Sequence, residues 1–186
     1  RARLAREWGP RPYPFGLEEG FDYAAWIGQH AMSRSEEAHL PHTGNFGVFE
    51  TTINGRAVGE FGQMALCSAQ LGVRVIFGSG DLAFTKEAVA LIPGIHTVSV
   101  KTGTTRGRGD ECDRDAYAKR NLDAVHLRPD RAREMIRTEA EKAIQHANMS
   151  AGFGIVPMKP PFERVTILRP SGNLGKRIGR ASHPAD

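Results

Sequence analysis

Cysteine is scarce in this chain. Cys67 and Cys112 are the two among 186 residues, too few for a disulfide framework, and no Cys-x-x-Cys pair suggests a zinc knuckle. Aromatic residues make up 8% and are not interleaved with the basic patches, as a single-strand stacking platform would require. No apolar run approaches the roughly 20 residues that span a bilayer. The N-terminus lacks the apolar centre of a signal peptide, because Arg1 to Arg6 leads directly into Glu7-Trp8-Gly9-Pro10. These absences exclude a disulfide-stapled secreted mini-protein and a membrane protein, and the expected location is cytoplasmic.

What is present is ordinary globular composition: 40% hydrophobic, 25% charged, with a net charge of +4. A chain of this length buries about 70% of its extended surface, enough for one domain spanning residues 1–186. The positive charge sits in short patches, Arg1/Arg3/Arg6/Arg11, Arg106/Arg108 and Lys176/Arg177/Arg180. A solvated surface accounts for them, and nucleic acid is not the expected partner; nucleic-acid binding would fall steeply with salt. The chain starts within a basic, Pro-rich stretch and stops at Ser182-His183-Pro184-Ala185-Asp186 without a closing element. Both ends read as cuts through a longer protein.

Residues 1–20 read as an irregular lead-in. The run Asp22 to Gly28 is an apolar strand that delivers Gln29 and His30 at its C-terminal end. A polar loop from Ser33 to Asn45 follows, interrupted by Pro41, and residues 46–53 are β-rich. Asn54-Gly55 then favours a tight hairpin, with Arg56 to Val58 returning. Phe61, Met64, Ala65, Ser68 and Leu71 share one helical face within a helix from Gly59 to Leu71. Val73 to Phe77 is a strand, Gly78-Ser79-Gly80-Asp81 a turn, Leu82 to Leu91 a helix and His96 to Lys101 another strand. Residues 103–127, rich in glycine and charge, predict an exposed excursion. Pro129 opens a long helix with Ala132, Met135, Ile136, Ala140, Ala143 and Ile144 as its buried stripe. Val165 to Leu168 is the last strand. The alternation defines an α/β fold with a largely parallel or mixed sheet flanked by helices, and a β-hairpin insertion near the candidate site.

Three groups carry chemistry. His30 follows an apolar strand, where a lone histidine is more often structural than a ligand. His39 and His42 imitate an H-x-x-H pair, but Pro41 opposes the helix that would align them, and two solvated loop histidines are the plainer account. Glu60 opens a helix, where the positive helix end keeps a carboxylate ionised and ready for a cation; a capping glutamate is the commoner outcome. Gly78-Ser79-Gly80-Asp81 lacks the third glycine of a dinucleotide loop and the Gly-Lys-Ser/Thr of a P-loop. No Gly-x-Ser-x-Gly elbow is present, and neither cysteine has a local His/Asn partner.

Taken in order, these segments resemble the M55 peptidase family, zinc-dependent D-aminopeptidases of bacterial dipeptide-transport operons. Ile27-Gly28-Gln29-His30-Ala31 resembles its Gly-x-His-Ala strand end, and Leu40-Pro41-His42-Thr43 its Ser-His-Ser/Thr loop. Ile53 to Gly62 follows its Ile-Asn-x-x-x-Val-Gly-Glu-x-Gly segment, the most specific part. The order continues through Val75 to Asp81, Lys86-Glu87-Ala88, Leu91 to Gly94 and Val100-Lys101, over roughly residues 10–148.

The resemblance implies a dinuclear zinc centre, with His30 and Glu60 as metal ligands and His42 as the catalytic histidine. It implies a metal-dependent aminopeptidase acting on small D-amino-acid peptides or amides, assembled as a homo-oligomer, in this family a ring. Substrate-binding residues are not identified. The family's Asp-x-Glu-Gly strand and the following Asn-Asp-x-His segment are absent from the sequence, so further ligands are expected from a missing N-terminal segment or a companion chain. The alternative is an inert or split-subunit relative serving binding or assembly.

Overall fold

Two four-stranded sheets organise the chain, one mixed and one antiparallel, in a computed structural model that describes residues 16–183. The basic patch at Arg1 to Arg11 and most of the expected lead-in lie outside the described residues. The mixed sheet has the order β1 (Tyr23–Gln29), β4 (Arg74–Asp81), β5 (His96–Gly103), β6 (Ala124–His126). Its first three strands run parallel, and β6 closes the far edge antiparallel. The second sheet has the order β3 (Arg56–Ala57), β2 (Val48–Ile53), β7 (Phe162–Leu168), β8 (Arg177–His183).

Among the described residues four α-helices complete the fold: α1 (Glu60–Gln70), α2 (Leu82–Leu91), α3 (Arg114–Arg120) and α4 (Pro129–Met149). Helices α1 and α2 cover one face of the mixed sheet, where Phe61, Ala65, Phe84, Ala88 and Leu91 bury against Val75 and Ala31. Helix α4 covers the other, placing Ala143 and Ala147 against Ile76, Phe77 and Val98. Strand β4 is buried on both faces, which is why it reads as a continuous apolar run rather than an alternation.

Several expectations need correction. Gly78-Ser79-Gly80-Asp81 is not a turn but the second half of β4, bonded to β1 on one side and β5 on the other. The small residues serve close approach: a Cβ on Gly80 would lie 2.0 Å from the Gln29 carbonyl oxygen. The chain does have a late closing element, because β8 pairs along the whole length of β7. It escapes a hydrophobic-pattern reading because all its residues are exposed. Segment 103–127 has much exposed surface, yet it contains α3 and β6, and Tyr117 anchors it at 1% exposure. The helical stripes are shifted from those expected: Leu71 and Ile144 are exposed, and Leu66 and Ala147 take buried places instead.

The hairpin forms as the Asn54-Gly55 pair predicts, with φ of 50° and 76° at the two turn residues. Asn54 also ties the turn to β7: its Oδ1 accepts from the Glu163 N–H and its Nδ2 donates to the Pro161 carbonyl. Within the basic patches, Arg108 pairs with Glu36 at 3.7 Å and Arg180 with Glu163 at 3.1 Å. Among the described residues no helix is long and apolar enough to cross a membrane.

Candidate metal centre

The parallel strands end on the side where β1 hands over to the loop 31–45, and three side chains meet there. A register shift between Ile27 and Gln29 bends β1 just before His30. The loop brings His42 back, and its strain is visible in Arg34, Glu37 and Leu40, all with φ between 48° and 70°. The hairpin then delivers Glu60 as the first residue of α1, following the N-cap Gly59.

The His30 and His42 rings stack with centroids 3.8 Å apart and planes 17° apart. His30 Nε2 lies 3.3 Å from Glu60 Oε2, and His42 Nε2 lies 3.6 Å from Glu60 Oε1. One donor atom from each of the three falls within 4.8 Å of the others. The side chains are 19%, 22% and 38% exposed in the order His30, His42, Glu60, so the centre is sheltered but open to a small molecule.

The tautomers follow from the outer contacts. His30 Nδ1 lies 3.0 Å from the Ala31 carbonyl, and His42 Nδ1 lies 2.8 Å from the Leu40 carbonyl. A carbonyl only accepts, so each Nδ1 carries its proton and each neutral ring directs an Nε2 lone pair toward the carboxylate. Acceptors that face one another need a positive charge between them. A proton on His30 or a bound cation meets that need.

The protonation balance agrees. Burial works against the charged form of His30, but the hydrogen bond to Glu60 and the Ala31 carbonyl raise its pKa overall. Burial lowers the pKa of His42, which keeps that ring neutral near pH 7. The hydrogen bond from His30 lowers Glu60 in spite of burial, helped by the Gly44 N–H, which donates to Oε1 at 2.7 Å.

His39 takes no part. Its backbone N–H donates to Asp81 Oδ2 at 2.9 Å, and its ring meets His126 edge-on at 5.5 Å. The sequence reading did not single out two further neighbours. Phe46 packs against His42 at 4.8 Å between centroids. Glu87 on α2 lies close enough to be coupled to His30 and Glu60, and burial pushes its pKa up to about 7.

Two imidazoles and a carboxylate converge at the strand ends of an α/β sheet, a nitrogen- and oxygen-donor set of the kind that could hold a metal ion such as zinc. The family model for D-aminopeptidases, peptidase family M55, matches residues 9–167, and the chain belongs to that family.

A D-aminopeptidase of Bacillus subtilis (strain 168) is 37% identical over 91 residues, covering 49% of this chain and 33% of that protein. Among solved structures, the Zn-dependent D-aminopeptidase DppA from Bacillus subtilis, described as a self-compartmentalizing protease, superimposes with a TM-score of 0.61 and 26% identity. That likeness covers 80% of this chain and 46% of DppA. The chain thus spans between a third and a half of the length of these relatives.

Proposed function

We propose that this chain carries part of the active site of a zinc-dependent aminopeptidase acting on small peptides or amides with an N-terminal D-amino acid. The observation that carries the reading is the convergence of the His30 and His42 Nε2 atoms on the Glu60 carboxylate, with each Nδ1 set against a backbone carbonyl. Family membership and the zinc-dependent neighbour support it. Three donors aimed at one point also support an enzyme over an inert binding or assembly relative.

His30 and Glu60 would hold zinc, which when bound supplies Lewis acidity toward a scissile carbonyl. His42 has the catalytic part. Burial keeps it neutral, its Nδ1 is anchored, and its Nε2 is free to accept a proton or attack. Phe46 covers that ring and limits water on one side.

The dinuclear reading needs more carboxylates than the described residues bring to this point. Among the described residues β1 pairs on one side alone, with β4, and Ile27 is 64% exposed. That bare edge beside His30 is where a preceding segment or a companion chain would add its ligands. The self-compartmentalizing relative suggests assembly as a homo-oligomer.

The test is zinc content and hydrolysis of D-alanyl amides, before and after chelation, on the chain alone and together with any companion polypeptide. Activity restored by zinc and abolished by His42→Ala is the expected result. Activity that survives both chelation and His42→Ala overturns the reading.

A further inference from the structure

His30 and Glu60 are separated by 30 positions, and each stands at the end of its element rather than inside it. Something must hold the two approach segments in register. One side chain reaches both. Glu87 Oε2 accepts the backbone N–H of Met32 at 2.8 Å, and Glu87 Oε1 accepts the N–H of Gly59 at 3.3 Å. Met32 lies two residues after His30, and Gly59 immediately precedes Glu60.

The fit around this carboxylate is tight. A Cβ on residue 59 would stand 2.7 Å from Glu87 Oε1 and 2.8 Å from Met32 Cβ, both inside contact distance. Glycine at that position lets the carboxylate enter between the two segments. Both Glu87 oxygens are committed to N–H groups, so this residue is not a ligand in the described arrangement. The two N–H groups meet different oxygens, and a carboxamide would set its NH2 group against one of them. Its burial makes the charge costly, and packing alone would be served better by an apolar side chain.

We propose that Glu87 is a positioning residue of the metal centre, clamping the segment after His30 to the residue before Glu60 so that their donor atoms stay together. This inference rests on the metal reading above and adds the device that preorganises it.

The experiment compares the native chain with Glu87→Gln, which keeps size and shape but can satisfy one of the two N–H groups. Cobalt(II) serves as the probe, read by its visible ligand-field spectrum and by titration, with backbone amide exchange at Met32 and Gly59 measured alongside. The expected result is a folded variant with a changed cobalt spectrum, affinity reduced by about 10- to 100-fold, as outer-shell losses commonly give, and faster exchange at the amide that loses its acceptor. Native affinity and an unchanged spectrum in Glu87→Gln overturn the proposal and leave the metal reading standing.

If the native chain takes up no cobalt, the metal reading fails. The clamp is then decided by exchange, with a faster Met32 or Gly59 amide supporting it and no change at either overturning it. Should Glu87→Gln not fold, Gly59→Ala displaces the same carboxylate sterically. An altered spectrum with faster Met32 exchange then supports the clamp, and an unaltered spectrum overturns it.

Discussion

Two places in this molecule bring together two histidines and a glutamate, and they behave as opposites. At His30, His42 and Glu60, both rings set Nδ1 against backbone carbonyls and turn Nε2 toward the carboxylate. Between β5 and α4, His96 Nδ1 meets Glu139 Oε1 at 2.7 Å, and His96 Nε2 meets His146 Nδ1 at 3.1 Å. Lys142 takes the other Glu139 oxygen at 3.0 Å, and the His146 ring stacks on Phe153 at 4.0 Å. The second group is a closed chain of donors and acceptors that fastens a helix to a sheet. The first stays open because the backbone, not a neighbouring side chain, occupies the inner nitrogens. Residue types alone do not distinguish them; the partner of each Nδ1 does, a backbone carbonyl in the first group and a side chain in the second.

The sharpest way to break this contrast is to remove one carboxylate from each group. Glu60→Gln should weaken zinc or cobalt binding by more than about 100-fold, a ligand loss exceeding the outer-shell range, whereas Glu139→Gln should leave affinity unchanged by calorimetric titration. Equal losses in both variants would erase the distinction.

Chelation comes next. At free metal 100 times Kd, binding adds about 2.7 kcal/mol to folding stability, so a chelator should lower the melting temperature of the native chain. The Glu60→Gln variant should melt at the same temperature with and without chelator.

Stability reverses the ranking. His96→Ala removes two hydrogen bonds of the closed chain, leaves Glu139 and His146 short of partners, and should cost about 1–3 kcal/mol by denaturant titration, with metal affinity intact. The smallest effect is a pH dependence. The hydrogen bond from His96, then that from Lys142, holds Glu139 below its ordinary value of 4.5. A carboxylate depressed in the folded state contributes stability above its unfolded pKa and loses it as pH falls through the folded value. Glu139→Gln should therefore flatten the stability profile below about pH 4.5, the ordinary glutamate range. A profile that matches the native one would remove Glu139 from the account.

His30, His42 and Glu60 were legible because each follows a local signal: a strand end, a Pro-marked loop, and an Asn-Gly hairpin running into a helix. Their meeting became an expectation through the family resemblance, since spacing alone left His39 and His42 equivalent. The structure separates those two by the left-handed backbone at Leu40, which no pattern of side chains announces. Glu87 was hidden for a different reason. Its partners are backbone N–H groups 55 and 28 positions away, and backbone donors leave no mark in a sequence. Gly78 to Asp81 misled because glycine, serine and aspartate ordinarily punctuate turns, whereas here small side chains admit a neighbouring strand. Strand β8 left no apolar alternation to read, because its residues face solvent and its pairing to β7 is carried by the backbone.

Asp81, fully buried at the junction of β4 and α2, has a wider reach than a helix cap. One oxygen receives the Ala83 N–H and starts α2; the other receives the N–H of His39 in the loop that carries His42. Six residues along the same helix, Glu87 takes hold of that loop again at Met32. The loop is therefore moored at two points to a single rod. The position of α2 thus sets the position of the loop that carries His42.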